Sequence, residues 1–364
     1  MKTQAPLLQS LQCLLLLTAI LGGSSKVSAT GLGPDILYVG DAGDNTVKSF
    51  STNGFLSLDG PKGTFVSRGT ASLTGPRGLL IAGAQLVVIN QNANQPQPGA
   101  VLQFFLKNGS FSGAWVAQND PNAPFTPRGA VIKDGVIYVA NFVLDNSGTP
   151  GAVQAFGGNG KLLGRLTPPA PLASIFRPRG VVVGPDGLLY VSSDPNFVAG
   201  TGPTTGGQVL RFDPNTLDFV DVYIDDLNNN PVQIGHLNRP EGLVFGPDGN
   251  LYVTSFRANQ EDTDSIRIYN GPTSPSPGAF SGAIVLDVAG VDSPARVFAQ
   301  ALLFGPGGKL FVPISGNDLN HTGEVRSYDF TTNPPTQAVV VPIGTLKAPW
   351  YLTFGRTNAA TLAY

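Results

Sequence analysis

One segment of this chain recurs six times, and that recurrence limits the possible folds more than any other feature. The clearest copies are RPRGVVVGPDGLLYVSSD, Arg177 to Asp194, and RPEGLVFGPDGNLYVTSF, Arg239 to Phe256. Relatives begin at Gly75 (GPRGLLIAGAQLVVINQ), Thr126 (TPRGAVIKDGVIYVANF), Phe298 (FAQALLFGPGGKLFVPIS) and Ala348 (APWYLTFG). Each copy reads as an apolar strand, a Gly-Pro-Asp-Gly turn or a variant of it, and a second apolar strand. A third strand follows in the pattern Gly-x-Val-x-x-Phe/Tyr, as at Gly99, Gly151, Gly207 and Gly323. DSIRIYN at Asp264 and NTVKSFS at Asn45 are looser versions, and a weaker fourth strand such as FVDVYI at Phe219 completes the unit.

Four antiparallel strands repeated about every 50 to 60 residues predict an all-β, six-bladed propeller, because no such unit buries both of its faces alone. ILYVGD and NTVKSFS begin at the second strand of a blade, whereas WYLTFG supplies a first strand with nothing after it. Pairing the two completes one blade and removes the open sheet edges of the array. Residues 357–364 have no assigned place in this scheme. The 46 Gly and 31 Pro fit the many tight turns.

Residues 1–29 carry Lys2, then the apolar LLLLTAILGG, then the small residues Ser28 and Ala29. That order predicts a secretory signal cleaved near Ala29, with residues 30–364 forming a single propeller that is secreted or periplasmic. Cleavage removes Met1 and Cys13, the only Met and Cys in the chain, so disulfides and thiolate chemistry are excluded from the mature protein. With 13% charged residues and a net charge of -2, the chain offers no field for nucleic acid, and no membrane insertion is expected after cleavage. A monomer is expected.

The repeat grammar of Pro-x-Gly, Gly-Pro-Asp-Gly and Leu-Tyr-Val resembles the NHL-type and gluconolactonase (senescence-marker) six-bladed propellers and, more weakly, the streptogramin lyases. The resemblance covers the mature chain and speaks for architecture, since this fold hosts hydrolases, lyases, metal binders and interaction platforms. In a propeller the first strand lines the axis, so the x of Pro-x-Gly falls at the channel mouth six times: Arg77, Arg128, Arg179, Glu241, Gln300 and Trp350. Turns and core repeat, while x is free to be specialised blade by blade. The ends of the second strands form a neighbouring ring of Asp41, Gln91, Asn141, Ser193, Ser255 and Ile314. The longer loops lie on this face, which makes it the candidate binding face.

Two readings of the arginines stay open. At ~8 Å and an effective dielectric of ~20, each like-charge pair costs about 2 kcal/mol. Glu241 and Asp41 could neutralise them in a structural plug. Alternatively the excess positive charge binds a small anionic or carbonyl-bearing molecule, or a protein partner, with Trp350 stacking on an apolar part.

The gluconolactonase resemblance implies a divalent metal held at the x positions. This chain matches at Glu241, with Gln300 as a second position, and has arginine at three others. Asp41 and Asn141, below the rim, keep calcium or magnesium open. The lyase resemblance implies a histidine base near a glutamate, for which His236 and His321 are the candidates beside Glu241. The functional expectation is a binding platform, with a hydrolase or lyase acting on a lactone or ester-like small molecule as the alternative.

Overall fold

The computed structural model describes residues 35–51, 63–92, 96–195, 205–228, 236–258, 261–286, 296–316 and 323–364. The expected signal, residues 1–29, lies outside them. Within the described residues twenty-four strands, β1 to β24 in chain order, form six four-stranded antiparallel sheets. Blade 1 has the order β24-β1-β2-β3, where β24 is Pro349–Phe354, β1 is Ile36–Asp41, β2 is Thr46–Ser51 and β3 is Thr64–Val66. Terminal segments of the chain therefore share a sheet, with Leu37 opposite Phe354 and Asp41 opposite Pro349. Blades 2 to 6 follow in sequence, and their inner strands are β4 (Pro76–Ala82), β8 (Pro127–Lys133), β12 (Pro178–Val183), β16 (Pro240–Phe245) and β20 (Leu303–Phe304).

Burial explains the graded strand signals. An inner strand packs between its neighbours, and every residue of β12 and β16 is buried, so these segments read as continuous Val and Leu runs. Outermost strands meet solvent on one face, as in Phe219–Asp225, and lose that signature. The Gly-Pro-Asp-Gly turns are hairpins: Gly187 and Gly249 sit at φ 83 and 80. Asp186 and Asp248 accept hydrogen bonds from the hydroxyls of Tyr190 (2.8 Å) and Tyr252 (3.0 Å), which fixes each turn against its own second strand.

The Pro-x-Gly element is a β-bulge. In β8, Pro127 faces Asn141 and Ala130 faces Val139, so three steps on one strand match two on the other. The same one-residue excess occurs at Arg77, Arg179, Glu241 and Trp350. A bulge re-aims the extra side chain, and proline tolerates the lost ladder bond. The glycine permits close approach to the next blade: a Cβ on Gly180 would lie 2.6 Å from the Glu241 carbonyl, and on Gly78 or Gly242 3.1 Å from the carbonyl of Arg128 or Gln300. Blade 6 reads FAQA in place of the Pro-x-Gly element, and its inner strand shrinks to two residues.

Residues 357–364 run from blade 1 to the far side of the ring. The Ala359 carbonyl accepts the Ile132 N–H (2.9 Å) and the Ala360 carbonyl accepts that of Val183 (3.1 Å), at the ends of β8 and β12 remote from the bulges. Blade 4 lies opposite blade 1, so the tail crosses the axis and closes it on the short-turn face. Leu362, 2% exposed, packs into the main core. Leu362→Ala should cost about 2–3 kcal/mol, read as a lower urea midpoint; an unchanged midpoint would mean the tail is not part of the folded unit.

Candidate functional site: an arginine-lined axial cavity

Five of the six residues at the variable position meet at the axis. Arg77, Arg128, Arg179, Glu241 and Gln300 line one cavity together with Val181, Leu243, Leu302 and Tyr351, and the space between them admits about one water molecule. Trp350, the sixth, lies against Arg77, whose guanidinium stands 4.4 Å from the ring centroid. Arg77, Arg179 and Glu241 are buried, whereas Arg128, Gln300 and Trp350 retain partial exposure.

Glu241 is the electrostatic hub. One carboxylate oxygen accepts a hydrogen bond from Arg179 Nη1, and the other lies 3.5 Å from Arg77 Nη2. Burial pushes the Glu241 carboxyl up, but Arg179, Arg77, Arg128 and Arg239 together hold it below the usual carboxylate range. Arg179 makes a second ion pair with Asp194, 2.9 Å away. Burial lowers Arg77 to about 10, Glu241 opposing and Arg179 adding to the effect.

Arg128 differs. Among the described residues it has neither an ion pair nor a hydrogen bond, and its Nε is buried without a partner. Burial, then repulsion from Arg77 and Arg179, disfavours its charged form, and the more distant Glu241 and Asp194 offset this only in part. Its contact is the Phe142 ring, 5.1 Å from the guanidinium carbon, which Arg179 shares at 4.3 Å. The side-chain oxygens of Gln300 and Gln91 are likewise buried with no partner among the described residues.

The second ring has another job. Proline has no N–H, and a backbone N–H one or two residues before each inner strand needs an acceptor. Asn141 accepts the Thr126 N–H (2.8 Å), Ser193 that of Arg177 (3.1 Å), Ser255 that of Asn238 (2.9 Å), and Asp41 that of Ala348 (2.8 Å). Blade 2 uses Asn90 for this, on Thr74 (2.9 Å), so Gln91 lies one residue beyond the ring in which the sequence pattern places it. Gln91 corresponds instead to Phe142 and Asp194. Their N–H groups all bond the carbonyl preceding the proline: Gly75, Thr126 and Arg177 respectively.

Asp41 is not the second counter-charge to the arginines. It pairs with Lys48 at 2.5 Å and binds the backbone of blade 1, and Asp194 takes the expected role at the axis. The only signal for Asp194 and Phe142 is their place one residue beyond the ring positions Ser193 and Asn141.

These donors do not fit a hard cation. Glu241 is the one carboxylate lining the cavity and is surrounded by three guanidinium groups; Asp41 is engaged at the blade 1 junction, and Asn141 bonds Thr126 and Gln154. No group of three His, Cys, Asp or Glu suited to a metal occurs among the described residues. His236 bonds Asp226 (3.0 Å) in a separate peripheral groove with Tyr223, Tyr269 and Phe280, so the structure does not bring it to Glu241. His321 lies outside the described residues.

Neither a family model nor a curated protein matches the sequence. Solved structures share the fold. A luciferin-regenerating enzyme aligns over 88% of this chain and 94% of its own, at 14% identity and a TM-score of 0.53. A hypothetical selenium-binding protein from Sulfolobus tokodaii aligns over 85% and 74%, at 10% identity and a TM-score of 0.56. A gluconolactonase-family structure aligns over 69% and 83%, at 15% identity and a TM-score of 0.45. The chain is a six-bladed β-propeller by its own sheet topology and shares that fold alone with these structures; chemistry has to be argued from the site.

Proposed function

We propose that this protein is an exported binding platform whose axial site, on the long-loop face, takes up an anionic oxygen group of a small molecule or partner. The observation that carries this reading is Arg128. Three arginines meet two carboxylates, Glu241 and Asp194, and the pairings leave Arg128 as the cation without an acidic partner among the described residues. A carboxylate or phosphate oxygen entering the axial cavity would meet a largely buried guanidinium oriented on Phe142. Export rests on the leader-like order of residues 1–29.

The geometry gives less support to lactone or ester hydrolysis. Glu241 is ion-paired on both oxygens and held ionised, so it is a poor proton donor and a weakened base. The described histidine lies in another groove.

Arg128→Gln tests the assignment because stability and binding should part company. Removing an uncompensated cation leaves the melting temperature unchanged or higher, as when a binding site is relieved of its strain. Wild-type protein should gain a saturable rise in melting temperature with phosphate or acetate at low ionic strength, equivalent to ~2.7 kcal/mol at a hundredfold excess over Kd. The variant should lose that rise. Equal anion response in both proteins, or a large destabilisation of the variant, would make Arg128 a structural residue.

A further inference from the structure

The cations do not stop at the axis. Two residues before the bulged position, blades 4 and 5 carry further arginines, Arg177 and Arg239, and Arg296 reaches the same rim ahead of Gln300. Arg177 donates to the Gly148 carbonyl at 2.9 Å. Arg239 donates one N–H to the Arg257 carbonyl (3.1 Å), lies 5.7 Å from the Phe256 centroid, and keeps its Nε buried without a partner. Arg296 lies between the Phe298 ring (4.1 Å) and the Phe256 ring (5.7 Å), and pairs with Asp264 through Nε (3.3 Å). Its Nη2 is buried without a partner. Asp264 also accepts the N–H groups of Arg257, Val297 and Phe298, so its capacity is shared among several donors.

Arg239 links this rim to the axial site. Arg239 interacts electrostatically with Arg179 and Glu241 on one side and Asp264 on the other, and Arg296 in turn feels Arg239. The backbone offers an independent sign. Arg239 and its blade 6 counterpart Phe298 occupy the left-handed region, at φ 40 and 49, where blade 2 has Gly75 at φ 87. A side chain there costs free energy that glycine avoids. Blade 5 nevertheless places a guanidinium at that position.

We propose that the ligand is a small molecule with at least two anionic oxygen groups, one held by Arg128 at the axis and the other by Arg239 and Arg296 on the rim of blades 5 and 6. The proposal rests on the anion-binding reading of Arg128 and extends it, since a single anion at the axis would leave the buried rim donors unmatched. Carboxylate and phosphate groups share this chemistry.

Titration calorimetry at low ionic strength with acetate, citrate, inorganic phosphate and pyrophosphate tests it and separates the two sources. Citrate should bind at least about 100-fold more tightly than acetate, or pyrophosphate than phosphate, by linkage of two contacts; the tighter pair assigns the group. Arg239→Gly should leave the single-anion Kd within about twofold, keep the melting temperature equal or higher because the left-handed backbone suits glycine, and weaken the multivalent anion by about tenfold or more. Arg296→Gln should weaken the same anion from a residue with ordinary backbone. Equal affinity for single and multiple anions, or rim variants that leave citrate and pyrophosphate unaffected, overturns the inference while the Arg128 site stands. Absence of binding by every anion overturns both.

Discussion

Glu241→Gln should destabilise the ring by about 3–5 kcal/mol, the usual result of removing one member of a buried ion pair and leaving the other charged. Glutamine keeps the shape and one hydrogen bond to Arg179. It removes the charge that faces Arg179 and Arg77 and partly offsets Arg128. Asp194 would then be the remaining acidic partner among the described residues for three axial guanidinium groups. A wild-type pH dependence follows from the same interaction. The folded-state pKa of Glu241 lies below its unfolded value, so its contribution is fully present above the unfolded pKa of about 4.3. It fades as pH falls through the folded value, because the unfolded chain then binds the proton more readily. Urea midpoints of the variant should therefore fall less steeply with acidification below that point. Added phosphate should stabilise the variant more than the wild type, since the site has lost its internal anion. A variant as stable as wild type at neutral pH, with the same acid slope, would show that the axial cluster does not hold the blades.

The repeat made blade count, seam and axial ring legible because each rests on a local requirement. Pro-x-Gly specifies a bulge and a close strand approach, and both recur wherever the motif does. Charge inversion between Arg179 and Glu241 reflects adjacency: the two bulged residues pair directly across neighbouring blades. Counter-charges outside the motif were harder to read. Asp194 lies one residue past its second strand and Phe142 at the end of its own, where the two-residue alternation no longer states which way a side chain points. Gln91 and Asn90 were separable only by register, which depends on the bulge itself. The tail carries no repeat signal, because its hydrogen bonds go to Ile132 and Val183 through backbone carbonyls that any residue supplies.

Asp41→Ala should cost a similar 3–5 kcal/mol, and more than the equivalent change in any other blade. Five blades have their first and second strands joined by a short turn, so register is set by the connection. Blade 1 joins β24 to β1 across the length of the propeller, with a closure entropy of roughly 5 kcal/mol for a loop of that order. Side-chain contacts have to fix the register there. Asp41, fully buried, accepts the Lys347 (2.9 Å), Ala348 (2.8 Å) and Gly43 (3.2 Å) N–H groups and pairs with Lys48 at 2.5 Å. Alanine would strand those donors and leave Lys48 with Asp44 at 2.6 Å, which is more exposed. Ser255→Ala removes a neutral hydroxyl from the corresponding Asn238 N–H and should cost about 1–3 kcal/mol. Hydrogen exchange on the two variants separates the effects: Asp41→Ala should expose β1 and β24 before the other blades, whereas Ser255→Ala should leave them protected. Equal costs, or uniform exchange around the ring in the Asp41 variant, would mean that closure is carried by inter-blade packing rather than by the charged acceptor at the junction.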